Sequence, residues 1–490
     1  MEQFKQNIRS ETIKLYPATD NMALTGTTLA YIFYKNTEGS DDFMPRDLLE
    51  TSFYQALEYY PAFAGTMTRS GYGTVQVVVD RDNLNMPTYA DVQDDTTHFS
   101  DAERANFHWD SFPKGGEAYD LLMHPGEDGI MRLASIRVTR MAENSGLLIS
   151  GILSHAIVDG LGAVTFLMLW SSLCRRLRSP EPESIPLPNP IYDRRIVANI
   201  FAQGSSQLPA DEMAYFAKPN WAANFLAWAS PNLRGTLHNY VNKSTSDEVQ
   251  IFYFSKESLD RLREMVSEHV DKSQRLSSNN IITGLFRKCY ASATLAYRQK
   301  QGMLSRLTTA AYRFLGLTSP SVDEQTMLMF ADLRFRFGIP KNYTGNAVLV
   351  TPQVDSMHSL ATPVTGESLA RAVLRNRQDV DKHDKEYCGA MVDMYNAKPE
   401  ATLRITTELV GDPSTFVITD QSRFPLFGVD FGNGNPVEFK GSRKMLSNMV
   451  FLSPAPPPKN GINVIISAIP EIIRELRANE SWAEFCETVY

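Results

Sequence analysis

SHAIVDGLG, Ser154 to Gly162, lies between two apolar runs, GLLISGIL (146–153) and AVTFLMLW (163–170). The first run reads as a buried strand and the second as the body of a buried helix. A histidine, an aspartate and a glycine therefore stand at a strand-to-helix junction with few polar neighbours. The same H-x-x-x-D-G spelling occurs earlier as HPGEDG, His124 to Gly129. There the intervening residues are Pro-Gly-Glu, which are turn formers, and the stretch reads as a solvated loop. Between His155 and Asp159 stand Ala156, Ile157 and Val158, which are apolar. Polar groups among them need partners, because an unpaired buried polar group costs about 1–3 kcal/mol.

Two readings of the junction stand at this point. In the first, His155 is a satisfied core histidine and Asp159 is the N-cap of the helix that follows. In the second, His155 is a general base, since a half-desolvated neutral imidazole suits proton transfer near pH 7. Asp159 serves as a cap or ion-pair anchor in either case, and Gly160 serves a tight bend. The chain has no G-x-S-x-G elbow, and no cysteine sits in a nucleophile-like setting. A histidine acting alone would deprotonate a substrate hydroxyl or amine directly, in a ternary complex without a covalent acyl-enzyme.

Outward from this stretch, strands and helices mix without a strict βαβ rhythm and without a glycine-rich phosphate loop. That predicts an α+β fold with mixed sheets. Clear strands are TTLAYIFY, TVQVVVD, MRLASIRVTRM, NAVLVTP and INVIISAI. Clear helices are DLLETSFYQALEYY, NNIITGLFRKCYASATLAYR and SLARAVLRNRQDVDKHDKEY, the last read as one helix over 368–387. The proline-rich RSPEPESIPLPNP (178–190) marks the main boundary. It predicts a first domain over 1–185, a crossover linker over 186–245 and a second domain over 246–490.

The 490 residues are 43% hydrophobic and 21% charged, with a net charge of -8. That is ordinary globular composition, and the lack of clustered Lys and Arg argues against a nucleic-acid partner. Cys174, Cys289, Cys388 and Cys486 are scattered without a CxxC pair, so neither a metal site nor a disulfide framework is expected. The N-terminus lacks the apolar core of a secretory signal, and no run approaches the ~18 apolar residues of a membrane span. These features predict a cytoplasmic protein.

Several further elements resemble, in order, the BAHD acyltransferases, including fungal relatives such as trichothecene O-acetyltransferases. QALEYYPAFAGTM (55–67) resembles the family's L-x-x-Y-P-x-A-G element. The strand–hairpin–strand unit that ends in His155 and Asp159 resembles its H-x-x-x-D region. LSSNNIITGLFRK (276–288) resembles the first helix of its second domain. ADLRFRFGIPKNYTGNAV (331–348) resembles D-x-R…P-x-x-Y-x-G-N. DFGNG, Asp430 to Gly434, resembles D-F-G-W-G.

The resemblance implies two chloramphenicol-acetyltransferase-like domains, each a mixed sheet flanked by helices, with an active-site tunnel between them. It implies an acyl-CoA co-substrate, with acetyl-CoA the first choice, and a small-molecule alcohol acceptor. It implies a monomer with no metal and no permanent cofactor. His155 would be the base. Asp159, Gly160, Arg334, Asp430, Gly432 and Gly434 would support the site, with Asp159 paired to Arg334. The family's T-S-W is Thr419-Asp420-Gln421 here. Thr419 would help hold the oxyanion, or is a plain strand-end residue, and Gln421 replaces an indole. Ser277, Ser278 and Asn279 would meet CoA, or simply cap their helix. Arg287 and Lys288 read as a solvated helix face. The alternative is a free-standing condensation-type enzyme that takes a carrier-bound thioester, since Ser154-His155 matches fungal terminal members of that group.

Overall fold

The computed structural model describes residues 2–21, 27–116, 129–201, 208–217, 220–244, 247–271, 273–301, 323–411, 413–443 and 445–489. Among them, strands β1 (Glu11–Lys14), β2 (Thr27–Lys35), β3 (Thr66–Gly71), β4 (Thr74–Val79), β5 (Thr88–Gln93), β6 (Ala134–Arg140) and β7 (Gly146–Ser154) come from the first half. Strands β8 (Glu248–Ser255), β9 (Glu324–Asp332), β10 (Val348–Ser356), β11 (Thr415–Asp420), β12 (Glu438–Lys440), β13 (Met449–Pro454), β14 (Gly461–Ala468) and β15 (Glu487–Thr488) come from the second.

They form three sheets. A small one has the order β1-β4-β3. A five-stranded sheet has the order β12-β2-β7-β6-β5, and a seven-stranded sheet the order β10-β9-β11-β13-β14-β8-β15. Both large sheets are mixed: β5 runs parallel to β6 and β11 parallel to both neighbours, while the other pairs are antiparallel. Strand β12 belongs to the second half but pairs with β2 of the first, Phe439 opposite Ile32.

All nine residues of β7 are buried, which is why its run lacks polar–apolar alternation. The chain then turns and enters helix α1 (Gly160–Arg178). This helix packs into the first core through Phe166, Leu169 and Trp170, the last donating its indole N–H to Leu49 O and Ser52 Oγ.

The crossover segment begins extended, with Ile191 bridging to Tyr343, and from Arg195 is mainly helical where it is described, including α2 (Trp221–Trp228) and α3 (Pro231–Ser244). In the second half, α4 (Ser278–Lys300) packs on the seven-stranded sheet beside α5 (Gly366–Asp381). The single helix expected over 368–387 is instead two. Helix α5 stops at Asp381, and α6 (Lys385–Ala397) starts anew with Asp384 as N-cap, its carboxylate accepting from Tyr387 N at 2.8 Å. The break sends His383 into the interior, where it is 2% exposed. Its Nε2 accepts from the Thr351 hydroxyl at 2.8 Å and its Nδ1 donates to Val380 O at 3.3 Å.

Arg287 and Lys288 are buried rather than solvated. Arg287 reaches Asp355 at 2.6 Å and Asn376 at 3.0 Å, and Lys288 reaches Leu360 O and Thr362 Oγ1. Charge does not decide exposure when another element brings matching acceptors.

Candidate active site

His155 occupies the turn between β7 and α1, and the peptide carbonyls of that turn are tied down one after another. The Asn346 amide donates to His155 O at 2.8 Å. Arg194 Nη2 donates to Ala156 O at 3.1 Å and to Ile157 O at 2.6 Å. Arg194 in turn pairs with Asp20 at 2.5 Å, and Asn346 also donates to Asp20, at 3.0 Å. Burial pushes the Asp20 carboxyl above its ordinary value; the Arg194 cation and hydrogen bonds from Tyr16 N–H and Asn346 oppose that push. Ala156, Ile157 and Val158 are wholly buried, so the turn is anchored by packing as well as by hydrogen bonds.

Asp159 closes the turn. Its carboxylate accepts from Gly162 N at 2.9 Å and so caps α1. It also accepts from Ala347 N at 3.1 Å and pairs with Arg334 at 2.8 Å. Arg334 also donates to Tyr343 O and Gly345 O, at 3.0 and 2.9 Å, and its Nη1 reaches Asp332 at 3.5 Å. Tyr343, Gly345 and Asn346 all stand in the segment that resembles the family's Y-x-G-N, so that segment is wired to the histidine turn. Gly162 makes the approach possible: a Cβ there would overlap Thr344 O.

The His155 ring is half-buried. Its Nδ1 is shielded from solvent with no hydrogen-bond partner among the described residues, which leaves Nε2 as the nitrogen able to face open space. That space is a cavity of about 870 Å³ between the two large sheets. The first half contributes His155, Gly160, Leu161 and Val164 to its wall. The second contributes Ser277, Asn279, Thr419, Gln421 and Phe424. A volume near the upper end of small-molecule sites suits two co-substrates better than one.

Thr419 is the last residue but one of β11 and is partly exposed, on the cavity wall. Gln421 is fixed at its backbone by a bond to Leu452 O at 2.7 Å, while its carboxamide makes no hydrogen bond among the described residues. Its Nε2 lies 3.5 Å from the point a Cβ on Gly160 would occupy, and Phe424 lies 3.0 Å from it. Gly160 thus keeps the cavity open beside the histidine.

Ser277 is the N-cap of α4 in a capping box with Asn280. Ser278 Oγ accepts from Arg263 at 3.2 Å, and Asn279 donates to Asp420 at 2.8 Å. Ser277 and Asn279 line the cavity; Ser278 does not. Asp430, Gly432 and Gly434 are also absent from its wall. The Asp430 carboxylate accepts from Gly432 N and Gly434 N, and both glycines hold positive φ, 101° and 98°, which favours glycine. This folds the loop so that Phe431 packs against Trp170 and Tyr34 of the first half.

Asp20 and Arg194 had no signal in the sequence. They are far apart in the chain; Arg194 holds main-chain carbonyls and Asp20 holds Arg194, a role that leaves no motif. Residues 124–128 of HPGEDG lie outside the described residues; Gly129 has φ 71° and accepts from exposed Asn232.

A family model described as the Transferase family matches residues 5–484. The chain is 22% identical over 454 residues to akuammiline synthase 1 of Alstonia scholaris, covering 91% of this chain and 87% of that protein. It is 22% identical over 451 residues to a hydroxycinnamoyltransferase of Narcissus pseudonarcissus, covering 90% and 88%. Among solved structures it resembles F. sporotrichioides TRI101 complexed with coenzyme A and T-2, with a TM-score of 0.69 and 14% identity over 98% of this chain and 100% of that one. It also resembles vinorine synthase, with a TM-score of 0.59 and 16% identity over 99% and 95%. These likenesses establish the fold, an α+β arrangement of mixed sheets flanked by helices.

Proposed function

Because the chain belongs to the Transferase family of BAHD acyltransferases, we propose that it moves an acyl group from an acyl-CoA thioester to a hydroxyl of a small secondary metabolite. Acetyl is the first choice of acyl group, His155 is the general base, and the two co-substrates meet in the cavity as a ternary complex. One observation carries this reading: His155 stands in a rigid turn on the wall of a cavity shared by both halves.

The acceptor hydroxyl gives its proton to His155 Nε2 as its oxygen attacks the thioester carbonyl carbon. The tetrahedral oxyanion then collapses, the C–S bond breaks, and the CoA thiolate leaves. It takes the proton back from the imidazolium, so ester and free CoA thiol are released and the histidine is restored. Thr419 is the proposed oxyanion donor, and the free Gln421 carboxamide beside Gly160 is a second one; a donor aimed at an oxyanion contributes about 3–4 kcal/mol. Ser277 and Asn279, at the N-terminus of α4, would meet the CoA phosphates, where helix N–H groups and dipole favour an anion. Ser278 would contribute from behind them. TRI101's complex with coenzyme A supports the choice of donor.

Residues 1–185 and 246–490 are the proposed functional units, joined by 186–245. A soluble cytoplasmic monomer is proposed; no helix among the described residues is long and apolar enough to cross a membrane.

The test is incubation of the purified chain with acetyl-, malonyl- and longer acyl-CoAs and a panel of hydroxylated metabolites, scored by free thiol and acceptor mass gain. Thiol release that depends on an acceptor supports the reading. Transfer from a carrier-protein thioester alone would replace it with the condensation-type one.

A further inference from the structure

Strand β7 carries two glycines, and the fold forces only one of them. A Cβ on Gly146 would overlap Tyr34 O and the Phe99 ring. Gly151 stands inside the strand, in unbroken antiparallel register with β2 on one side and β6 on the other, without a bulge or a positive φ. A Cβ there would meet one atom within 4 Å, the flexible end of Ile136 at 3.2 Å. A glycine inside a strand weakens it, and marks a bulge, a bend, or close approach by a backbone or a ligand. The register and surroundings of Gly151 leave the ligand.

Gly151 opens onto the cavity that holds His155. Ala30 of β2 and Ile136 of β6 stand directly opposite it, so two of the three residues abreast are among the smallest. All three line the cavity, and Ile32 and Leu153 line it from the next positions on the same face. Val164 and Leu167 of α1 line it from the other side, on one stripe with Gly160 at i, i+4 and i+7. The cavity therefore runs on from His155 into a slot between the five-stranded sheet and the N-terminal half of α1. Gly151 lies three residues before the end of β7, roughly 10 Å along the strand. Among the described first-half residues on the cavity wall, only His155 and Asp159 are polar, and Asp159 is spent on Arg334 and two backbone N–H groups. The slot thus offers no hydrogen bond to an oxygenated group, whose burial unpaired costs about 1–3 kcal/mol.

We infer that this slot takes a hydrocarbon chain carried by one co-substrate, and that Ala30 and Gly151 set the length it admits. The inference rests on acyl transfer at His155. An alkyl chain matches an aliphatic wall, because each methylene buried there favours binding about fourfold and leaves no polar group unpaired. With acetyl as the acyl group, the chain belongs to the acceptor alcohol; a longer acyl group would itself fill the slot. The second-half wall, with Ser277, Asn279, Thr419 and Gln421, is the polar side and is left to CoA and the reacting centre.

Two series separate the sources. Acetyl- to dodecanoyl-CoA are compared with one short alcohol, and ethanol to dodecanol are compared with acetyl-CoA, by free-thiol release. Along one series kcat/KM should rise about fourfold per methylene until the slot is full. Gly151→Val and Ala30→Leu should each lower kcat/KM for the best chain, relative to the shortest member, by at least about tenfold. Where Gly151→Val fails to fold, Gly151→Ala, whose added methyl meets only the end of Ile136, carries the test. Binding is read separately, as the thermal shift that each acyl-CoA or alcohol gives by itself. No gain with length in either series, or a preference untouched by the substitutions, would overturn the slot and leave acyl transfer standing. Absence of thiol release from every pair would instead remove the acyl-transfer reading. A length-dependent thermal shift that the Gly151 change abolishes would then still support the slot, and a length-independent one would overturn it.

Discussion

Arg334 Nη2 lies 2.8 Å from Asp159 Oδ2, and both side chains are almost completely withdrawn from solvent, at 1% and 4% exposure. Asp159 follows the histidine turn, and Arg334 follows β9 of the seven-stranded sheet. The pair therefore ties the turn that carries His155 to the opposite half of the molecule. Removing one member strands a buried charge. Arg334→Met should lower unfolding free energy by about 3–5 kcal/mol, measured by urea denaturation. Asp159→Asn/Arg334→Met should cost less than the two single changes summed, because the second change removes the orphaned partner. Strict additivity would show that the two do not act as a pair.

His155 offers the reverse case. Its Nδ1 has no partner to lose, so His155→Ala should alter stability by less than about 1 kcal/mol. Turnover should fall about a thousandfold if the imidazole carries the proton. Near-normal acyl transfer by a well-folded variant would remove the base assignment.

Gly162 is pressed against the Thr344 carbonyl. Gly162→Ala should push α1 away from the second half and cost about 1–3 kcal/mol. Thermal unfolding with and without CoA reports this, and an unchanged midpoint would mean that the contact yields freely.

His383 provides a pH signature. Burial pulls its imidazole down to about 4, against an ordinary ~6.5. Between those values the unfolded chain takes up a proton that the folded protein refuses. Stability from this group is therefore present above pH ~6.5, is lost as pH falls, and levels off below about 4. The advantage of the native protein over His383→Gln should shrink by up to about 3 kcal/mol from pH 7 to 4. A pH-independent difference would contradict a neutral buried ring.

The strand, turn and helix around SHAIVDGLG were legible because the information is local: two apolar runs, a capping carboxylate and a glycine. Arg334 was legible through its resemblance to a motif. Asp20 and Arg194 were not, because a guanidinium that holds two carbonyls leaves no spacing to recognise. Arg287 and Lys288 misled for a related reason, as the acceptors that receive them come from Asp355, Asn376 and Leu360, far away in the chain. The break at 382–384 was masked by helix-forming neighbours. Only the burial of His383 and the cap at Asp384 reveal it.

Strand β12 has a consequence for anyone recombining such enzymes. It leaves the second half to complete the first sheet at β2, and the Asp430–Gly434 loop before it is pinned to Trp170, Tyr34 and Met44. A chimera spliced once, between the halves, would marry this strand to a foreign edge and this loop to a foreign core. Breakpoints that let 429–441 travel with residues 1–185 keep each interface with its native partner, so the workable exchange unit is discontinuous in sequence.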